Sequence, residues 1–369
     1  MGKLENLALA ITNDFQIKHE GDVHNGKVRS VYWLTPEDSK RLTEQRGYKV
    51  HPETQLAVMI ISDRISAFDV NWKAEEGLHG IPQKGAALNQ TSKYWFDEFD
   101  RVGLAGNHIV DVPHPLVWIV QKAQPIMVEA ISRQYITGSM WRHYDEDDQR
   151  EFGGVKLPNG LQKNQRLDEL LITPSTKGIM RGISGIPEKD DVDITRRQIL
   201  DNWEAFGFRS PEDVALYEQR LRQGCALADP KLNGVGQIFV DTKFEFGYIR
   251  TPQGNWEMIY IDEVLTPDSS RFWDRERYKQ GDVVENSKEG FRDFLRFKSG
   301  FLSKLFTDKA NYDALKIVAE FYRVPVDQFM EVSDTYRGIA KTITGKEVPN
   351  IENPRQEILD TLAGYELVA

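Results

Sequence analysis

The sequence predicts an α+β protein dominated by antiparallel sheet, and three observations carry that reading. A buried apolar run at Leu56–Ile61 (LAVMII) and a strand-like stretch at 27–34, after the Asn25-Gly26 turn, place strands early in the chain. Two longer strand patterns, 236–250 and 256–264, are joined by Thr251-Pro-Gln-Gly-Asn255, a turn sequence. From about Gly290 the pattern is helical to the end, with a break at Val324-Pro325. Strands and helices do not alternate regularly, which argues against a doubly wound parallel sheet.

The other elements follow in order. Residues 87–99 read as a helix carrying Tyr94, Trp95 and Phe99. Residues 116–121 and 126–131, separated by a short loop ending in Pro125, read as an antiparallel hairpin. The stretch 145–193 is loop-rich and charged. Helices are expected at 195–206 and 211–228, the second with Ser210 as N-cap and Pro211 in the first position.

A chain of 369 residues suits two packed lobes, and 40% hydrophobic with 11% aromatic content excludes wholesale disorder. Lys plus Arg is 47 against 57 Asp plus Glu, a net charge of −10, whose mean field repels nucleic acid and anionic membrane. Phosphate can still bind where cations and backbone N–H groups converge. The single cysteine, Cys225, excludes an internal disulfide and any multi-cysteine metal site. No window resembles a membrane span or, at 1–15, a signal peptide. A cytoplasmic location is expected.

Several segments bear chemistry. Gly26-Lys27-Val-Arg29 opens a strand where backbone can approach a polyphosphate while Lys27 neutralises it; a surface hairpin with solvated cations is the alternative. In Phe239-Val-Asp-Thr-Lys-Phe-Glu-Phe-Gly247, alternation sets Asp241, Lys243 and Glu245 on one face, and Val240, Thr242, Phe244 and Phe246 on the other. The partner strand ends in Asp262-Glu263, so a hairpin brings Glu245 near Asp262. Two acids so placed suit Mg²⁺, with Lys243 and Arg271 beside them for phosphate. A solvated, ion-paired strand face is the alternative. The segment from Glu129 through Arg133 and Tyr135 to Gly138-Ser139 leads into a helix, where Ser139 serves either as an anion ligand or as a helix cap. Ser62-Asp63-Arg64-Ile-Ser-Ala-Phe-Asp69 places acids, Arg and hydroxyls after a buried strand.

These segments occur in a fixed order: GKVRSVY (26–32), SDRISAFD (62–69), IPQKGAALNQTSKYWF (81–96), RQYITGS (133–139), TPSTK (173–177), VDTKFEFG (240–247) and DEVLTPDSSRFW (262–273). Together they resemble the phosphoribosylaminoimidazole-succinocarboxamide synthase (SAICAR synthetase) family, from about residue 20 to 275. The resemblance implies a small antiparallel-sheet N-terminal lobe, 1–114, against a larger ATP-grasp-like lobe with C-terminal helices, 115–369. It implies ATP-dependent joining of carboxyaminoimidazole ribonucleotide to L-aspartate, with Mg²⁺. By resemblance, Gly26, Lys27, Lys177 and Lys243 bind ATP, and Glu245 and Asp262 bind the metal. Asp69, Lys84, Arg133, Ser139, Asp268 and Arg271 contact the ribonucleotide, with Lys243 and Arg271 as the catalytic cations. No residue is assigned to aspartate, and a homo-oligomer is left open.

The sequence departs from the family pattern at Ser30, at Gly178-Ile-Met-Arg-Gly and Asp190-Asp-Val-Asp193 after TPSTK, and at Ser287-Lys-Glu-Gly-Phe291. A small-molecule kinase and a nucleotide-binding regulator without turnover are the competing functions.

Overall fold

The computed structural model of the protein describes residues 4–300 and 312–369. The first part contains β1 (His24–Asn25), β2 (Arg29–Trp33), α1 (Pro36–Arg46), β3 (Leu56–Ile61), β4 (Ile65–Ala67), β5 (Val70–Trp72), α2 (Lys84–Arg101), β6 (Ile109–His114) and β7 (Val117–Gln121). Five of these strands form an antiparallel sheet in the order β1-β2-β3-β7-β6. Its residues alternate between two cores. Tyr32, Val58, Ile60, Val117 and Ile119 face one, while Val31, Ala57, Trp118 and Val120 face the other. Burial on both faces explains why LAVMII is apolar without a break.

The second part runs β8 (Gln124–Tyr135), α3 (Gly138–Asp145), β9 (Glu151–Phe152), β10 (Val155–Lys156), β11 (Arg166–Ile172), β12 (Ser175–Thr176), α4 (Arg196–Asp201), α5 (Glu212–Gly234), β13 (Gln237–Arg250), β14 (Trp256–Ile261) and β15 (Ser270–Asp274). Then come α6 (Arg275–Lys279), α7 (Lys288–Asp293) with a π-helical turn at Phe294–Lys298, α8 (Tyr312–Phe321), α9 (Val326–Thr344) and α10 (Pro354–Ala363). The helical pattern expected across 301–311 lies outside the described residues. The second sheet has the order β11-β8-β13-β14, with β12 on β8 and β15 on β13.

Three expectations are corrected. The stretches 116–121 and 126–131 are not a hairpin: β7 pairs with β3 and β6 in the first sheet, and β8 belongs to the second. The chain crosses between sheets at 122–124. Lys122 N still donates to Gln55 O at 2.9 Å, and Pro125, without an N–H, already faces Gly247 beside a bulge. Val240 does not share a core with Phe244 and Phe246. Phe239 faces Phe272 but Asp241 faces Arg271, so one extra residue bulges out of β13 and turns Val240 towards Ile238, Tyr135 and Trp273. The helix at 195–206 stops at Asp201, where Asn202 Nδ2 donates to Gln198 O at 2.9 Å and takes a last-turn carbonyl.

Helix α5 packs on one face of the second sheet, burying Phe244, Phe246, Val128 and Ala130 with Tyr217, Leu221 and Ala228. The first core is completed by C-terminal residues, among them Phe291, Leu315, Phe329, Tyr336, Ile358 and Leu367. Val368 bridges Ile17, and Lys18 N donates to Leu367 O at 2.8 Å.

A buried carboxylate fixes the approach to the site. Asp63, 3% exposed, accepts Leu9 N and Gly85 N, both at 2.8 Å, and burial pushes its pKa up to about 6. Asp63→Ala leaves two buried N–H groups unmatched. At about 1–3 kcal/mol for each, we expect a loss of roughly 2–6 kcal/mol in urea unfolding. A loss below about 0.5 kcal/mol would mean that water replaces the carboxylate.

Candidate active site

Because α5 covers one face of the second sheet, the residues at alternate positions of β8 and β13 project from the other. That face carries Glu129 and Arg133 on β8, and Asp241, Lys243 and Glu245 on β13. Register places Asp241 opposite Arg133 and Glu245 opposite Glu129, so the charges meet across strands.

At one end Lys243 Nζ lies 2.6 Å from Glu129 and 3.7 Å from Glu245, and Lys177, just beyond β12, pairs with Glu245. Asp262 follows β14 with φ +61°, a left-handed conformation that turns it out of the strand, one residue beyond the Ile261 that faces Glu245. Burial, and then the charge of Asp262, push the Glu245 carboxyl above the usual carboxylate range. Burial also works against an ionised Asp262, but Arg29, Lys177 and Lys243 outweigh it and hold its pKa low. Burial opposes the Lys243 charge too, and Glu129 and Glu245 overcome it. Arg29 reaches from the first sheet to Asp262 (3.2 Å) and Glu263 (2.8 Å).

Gly26 and Lys27 lie at the edge of this group. Gly26 N donates to Arg29 O at 2.8 Å, closing the turn, and a Cβ there would stand 3.2 Å from the same oxygen. Lys27 pairs with Asp69 at 2.6 Å, both more than half exposed. Asp69 and Phe68, at φ +57° and +56°, form the strained two-residue turn between β4 and β5. The loop carrying Asp190 and Asp191 spans the gap: both acids act on Lys27, and Lys243 acts on Asp191. Lys27 itself does not touch Glu245 or Asp262.

Guanidinium groups gather at the other end. Arg271 pairs with Asp241 and lies 3.2 Å from Glu289, while Arg133 lies 3.7 Å from Asp241. Arg133 Nη2 donates to Ser139 Oγ at 3.4 Å and its Nε to Thr173 at 2.9 Å. Thr137, not Ser139, occupies the cap position of α3. Gly138, at φ +58°, is required here: a Cβ would fall 2.5 Å from Arg271 Nη2. Glu289 also takes Arg292 (2.9 Å) and Arg296 (2.7 Å), and these cations hold its pKa well below the ordinary value against the effect of burial. Arg296 in turn stacks 4.9 Å from the Phe68 ring.

Asp268 gathers a third cluster. Lys84 Nζ, fully buried, lies 2.8 Å from it, Tyr336 OH donates to it at 2.5 Å, and Lys288 Nζ lies 3.8 Å away. Two open grooves, of about 630 Å³ along α9 and about 790 Å³ between β11 and α4, are lined by none of the predicted site residues.

The structure therefore brings together Lys177, Lys243, Glu245 and Asp262 at one end, and Arg133, Ser139 and Arg271 at the other, with Lys84 and Asp268 paired to each other. Sequence reasoning assigned no role to Glu129, Arg29, Lys288, Glu289 or Tyr336. The Ser287-Lys-Glu segment was the available signal, and it stood only as a departure from pattern.

Comparison with known proteins gives the family. A family model described as SAICAR synthetase matches residues 22–304. Phosphoribosylaminoimidazole-succinocarboxamide synthase of Vibrio parahaemolyticus is 54% identical over 362 residues, 98% of each chain. The Vibrio cholerae protein of that name is 53% identical over 361 residues, 97% of each. A solved structure, SAICAR-synthase from Saccharomyces cerevisiae complexed with SAICAR, is similar at TM-score 0.62 and 27% identity, over 90% of this chain and 99% of that one. With a family model over most of its length and relatives matched end to end, the chain belongs to the SAICAR synthetase family.

Proposed function

We propose that the open face of the second sheet is where this chain carries out the family's reaction, with ATP at the Lys243 end and the ribonucleotide phosphate at the Arg271 end. The family's members are ATP-dependent ligases of purine biosynthesis, and this chain is one of them. The observation that carries the residue-level reading is the division of charge along that face. A lysine–carboxylate group and an arginine group stand apart along it, with a third cluster of Lys84, Lys288 and Tyr336 around Asp268.

A carboxylate resists attack by an amine until one of its oxygens becomes a leaving group. Transfer of the γ-phosphoryl group of ATP to the carboxylate of carboxyaminoimidazole ribonucleotide supplies one, as an acyl phosphate, and releases ADP. The amine of L-aspartate then forms the C–N bond as the C–O bond to phosphate breaks, giving SAICAR. Lys243 and Lys177 stabilise the charge on the transferring phosphoryl group, and Lys27 guides the polyphosphate at the mouth. Arg133, Ser139, Arg271 and the N-terminus of α3 hold the ribonucleotide phosphate. Asp268, Lys84 and Asp69 orient the rest of that substrate.

Glu245 and Asp262 would hold Mg²⁺. Their donors are all oxygen, and a divalent cation relieves the repulsion that, with burial, raises the Glu245 pKa. Among the described residues no cluster of three metal-ligating side chains occurs, which suits an ion that keeps water and phosphate in its shell. When bound, it would neutralise phosphate oxygens.

A coupled ADP-release assay with ATP and the ribonucleotide, with and without aspartate, tests the reaction. SAICAR should form only with aspartate. Phosphorylation of a hydroxyl acceptor instead would make the chain a kinase, and ATP binding without turnover a regulator. Asp262→Asn and Glu245→Gln should each raise the Mg²⁺ concentration needed for turnover at saturating ATP, leaving ribonucleotide binding nearly intact. An unchanged Mg²⁺ dependence in both variants removes them from the metal site.

A further inference from the structure

Lys288 is a mostly buried lysine whose ammonium stands near a carboxylate without a hydrogen bond to it. It opens α7, where its backbone N–H is held by Pro267 O at 2.9 Å, and its side chain is 15% exposed. Its one anionic neighbour within 4 Å among the described residues is Asp268, at 3.8 Å, beyond hydrogen-bond distance. Both oxygens of that carboxylate are already taken, Oδ2 by Lys84 at 2.8 Å and Oδ1 by Tyr336 at 2.5 Å. The charged groups acting on Lys288 are Lys84 from α2, Asp268 and Glu263 from the chain between β14 and β15, and Arg292 one turn along α7, while Tyr336 from α9 shares the Asp268 carboxylate. The start of a helix adds further positive potential. Lys84 and Tyr336 hold the two oxygens of Asp268 by hydrogen bonds, whereas Lys288 acts on it only through space, so Lys288 can give up its charge without breaking a hydrogen bond to that carboxylate.

Its position matters as much as its charge. Glu263, which takes Arg29 at 2.8 Å, leads back to Asp262 and the phosphoryl-transfer end. Arg292 and Glu289 lead to Arg271 and the phosphate end. Lys288 is thus linked, through these neighbours, to both ends of the face that would hold the ribonucleotide. The amine that attacks the carboxylate carbon of that substrate arrives at neutral pH as an ammonium, which has no lone pair.

We propose that Lys288 is the catalytic base that takes a proton from the α-ammonium of the amino-acid substrate. This rests on the ligase reading above. The neutral Lys288 amine accepts one proton from the ammonium, and the freed lone pair forms the C–N bond. The C–O bond to the phosphate breaks, and the second nitrogen-bound proton leaves with the departing phosphate. Burial, with Arg292 and Lys84, pulls the Lys288 pKa down to about 8 against the pull of Asp268, so the neutral form is available near physiological pH.

Hydroxylamine separates this role from the others, because it is already unprotonated at neutral pH and converts an acyl phosphate to a hydroxamate without a base. In Lys288→Met, we expect kcat with aspartate to fall by about 10²–10⁴-fold, the range a positioned base contributes, with hydroxamate formation close to wild type. The residual aspartate rate should climb with pH as free amine becomes available. Lys288→Arg keeps the charge but cannot give up a proton, so it should behave like Lys288→Met. Recovery of aspartate turnover in the arginine variant would instead make Lys288 a carboxylate-binding group and overturn the proposal. Equal loss of the aspartate and hydroxylamine reactions in both variants, whether from misfolding or a binding role, also overturns it. So does a wild-type enzyme whose aspartate and hydroxylamine reactions share one pH profile. Absence of any ribonucleotide-dependent hydroxamate or ADP in the wild type is a different failure, that of the ligase reading itself.

Discussion

Replacing Arg29 with methionine is expected to lower the free energy of unfolding by about 3–5 kcal/mol, because it leaves the buried Glu263 carboxylate without its counter-ion and takes from Asp262 one of its three cations. The guanidinium is 8% exposed and spans more than two hundred residues of sequence to reach Asp262 and Glu263. Methionine fills much of the volume but carries no charge, so the Glu263 carboxylate must find a proton or water. The exposed Lys27–Asp69 pair provides the contrast, and Lys27→Met should stay within about 0.5 kcal/mol of wild type. Urea unfolding of the two variants side by side decides the matter. Adding Glu263→Gln to Arg29→Met should recover part of the loss. If Arg29→Met is no worse than Lys27→Met, the two sheets are not held by this bridge.

Lys243→Ala should reduce kcat by roughly 10²–10³-fold, the cost of removing one charge-stabilising group from a transition state. Its effect on stability is of a different kind. Glu129 and Glu245 face each other across the ladder, and the lysine is the cation between them. Without it the folded-state pKa of Glu245, already raised, rises further. A carboxyl whose folded pKa lies above its unfolded one contributes most stability at low pH and loses it as pH climbs. The deficit of the variant relative to wild type should therefore shrink as pH falls and the Glu245 carboxyl takes up a proton. The loss of kcat, corrected for the folded fraction measured by circular dichroism, should remain. A thermal shift large enough to explain the lost activity, with the residual folded enzyme fully active, would sink the assignment.

Local pattern made the β13–β14 hairpin legible. Period-two alternation and a Pro-Gln-Gly turn fix both its register and the delivery of Glu245 towards Asp262. The same kind of signal misled at β7 and β8. A short loop ending in proline marks a hairpin and a strand crossing between sheets alike, and only the partners tell them apart. No residue announces the bulge at Val240, which shows only in the pairing, where Phe239 faces Phe272 and Asp241 already faces Arg271. Glu129 escaped for a related reason: its meeting with Lys243 depends on pairing strands 114 positions apart. Lys288 and Glu289 are brought in by a helix near the far end of the chain, and spacing within that helix gives no hint of what it will face.

The first core is built from both ends of the polypeptide. Residues from Ala8 to Ile119 share it with Phe291 through Leu367, and Val368 closes against Ile17. On the ribosome, domains usually fold from the N-terminus as they emerge. Here the first sheet must wait with one apolar face uncovered until the last helices are made, whereas the second sheet and α5 are complete once β15 is out. The order of assembly should run opposite to the order of synthesis, and the nascent chain between those two moments is when a chaperone has most to hold.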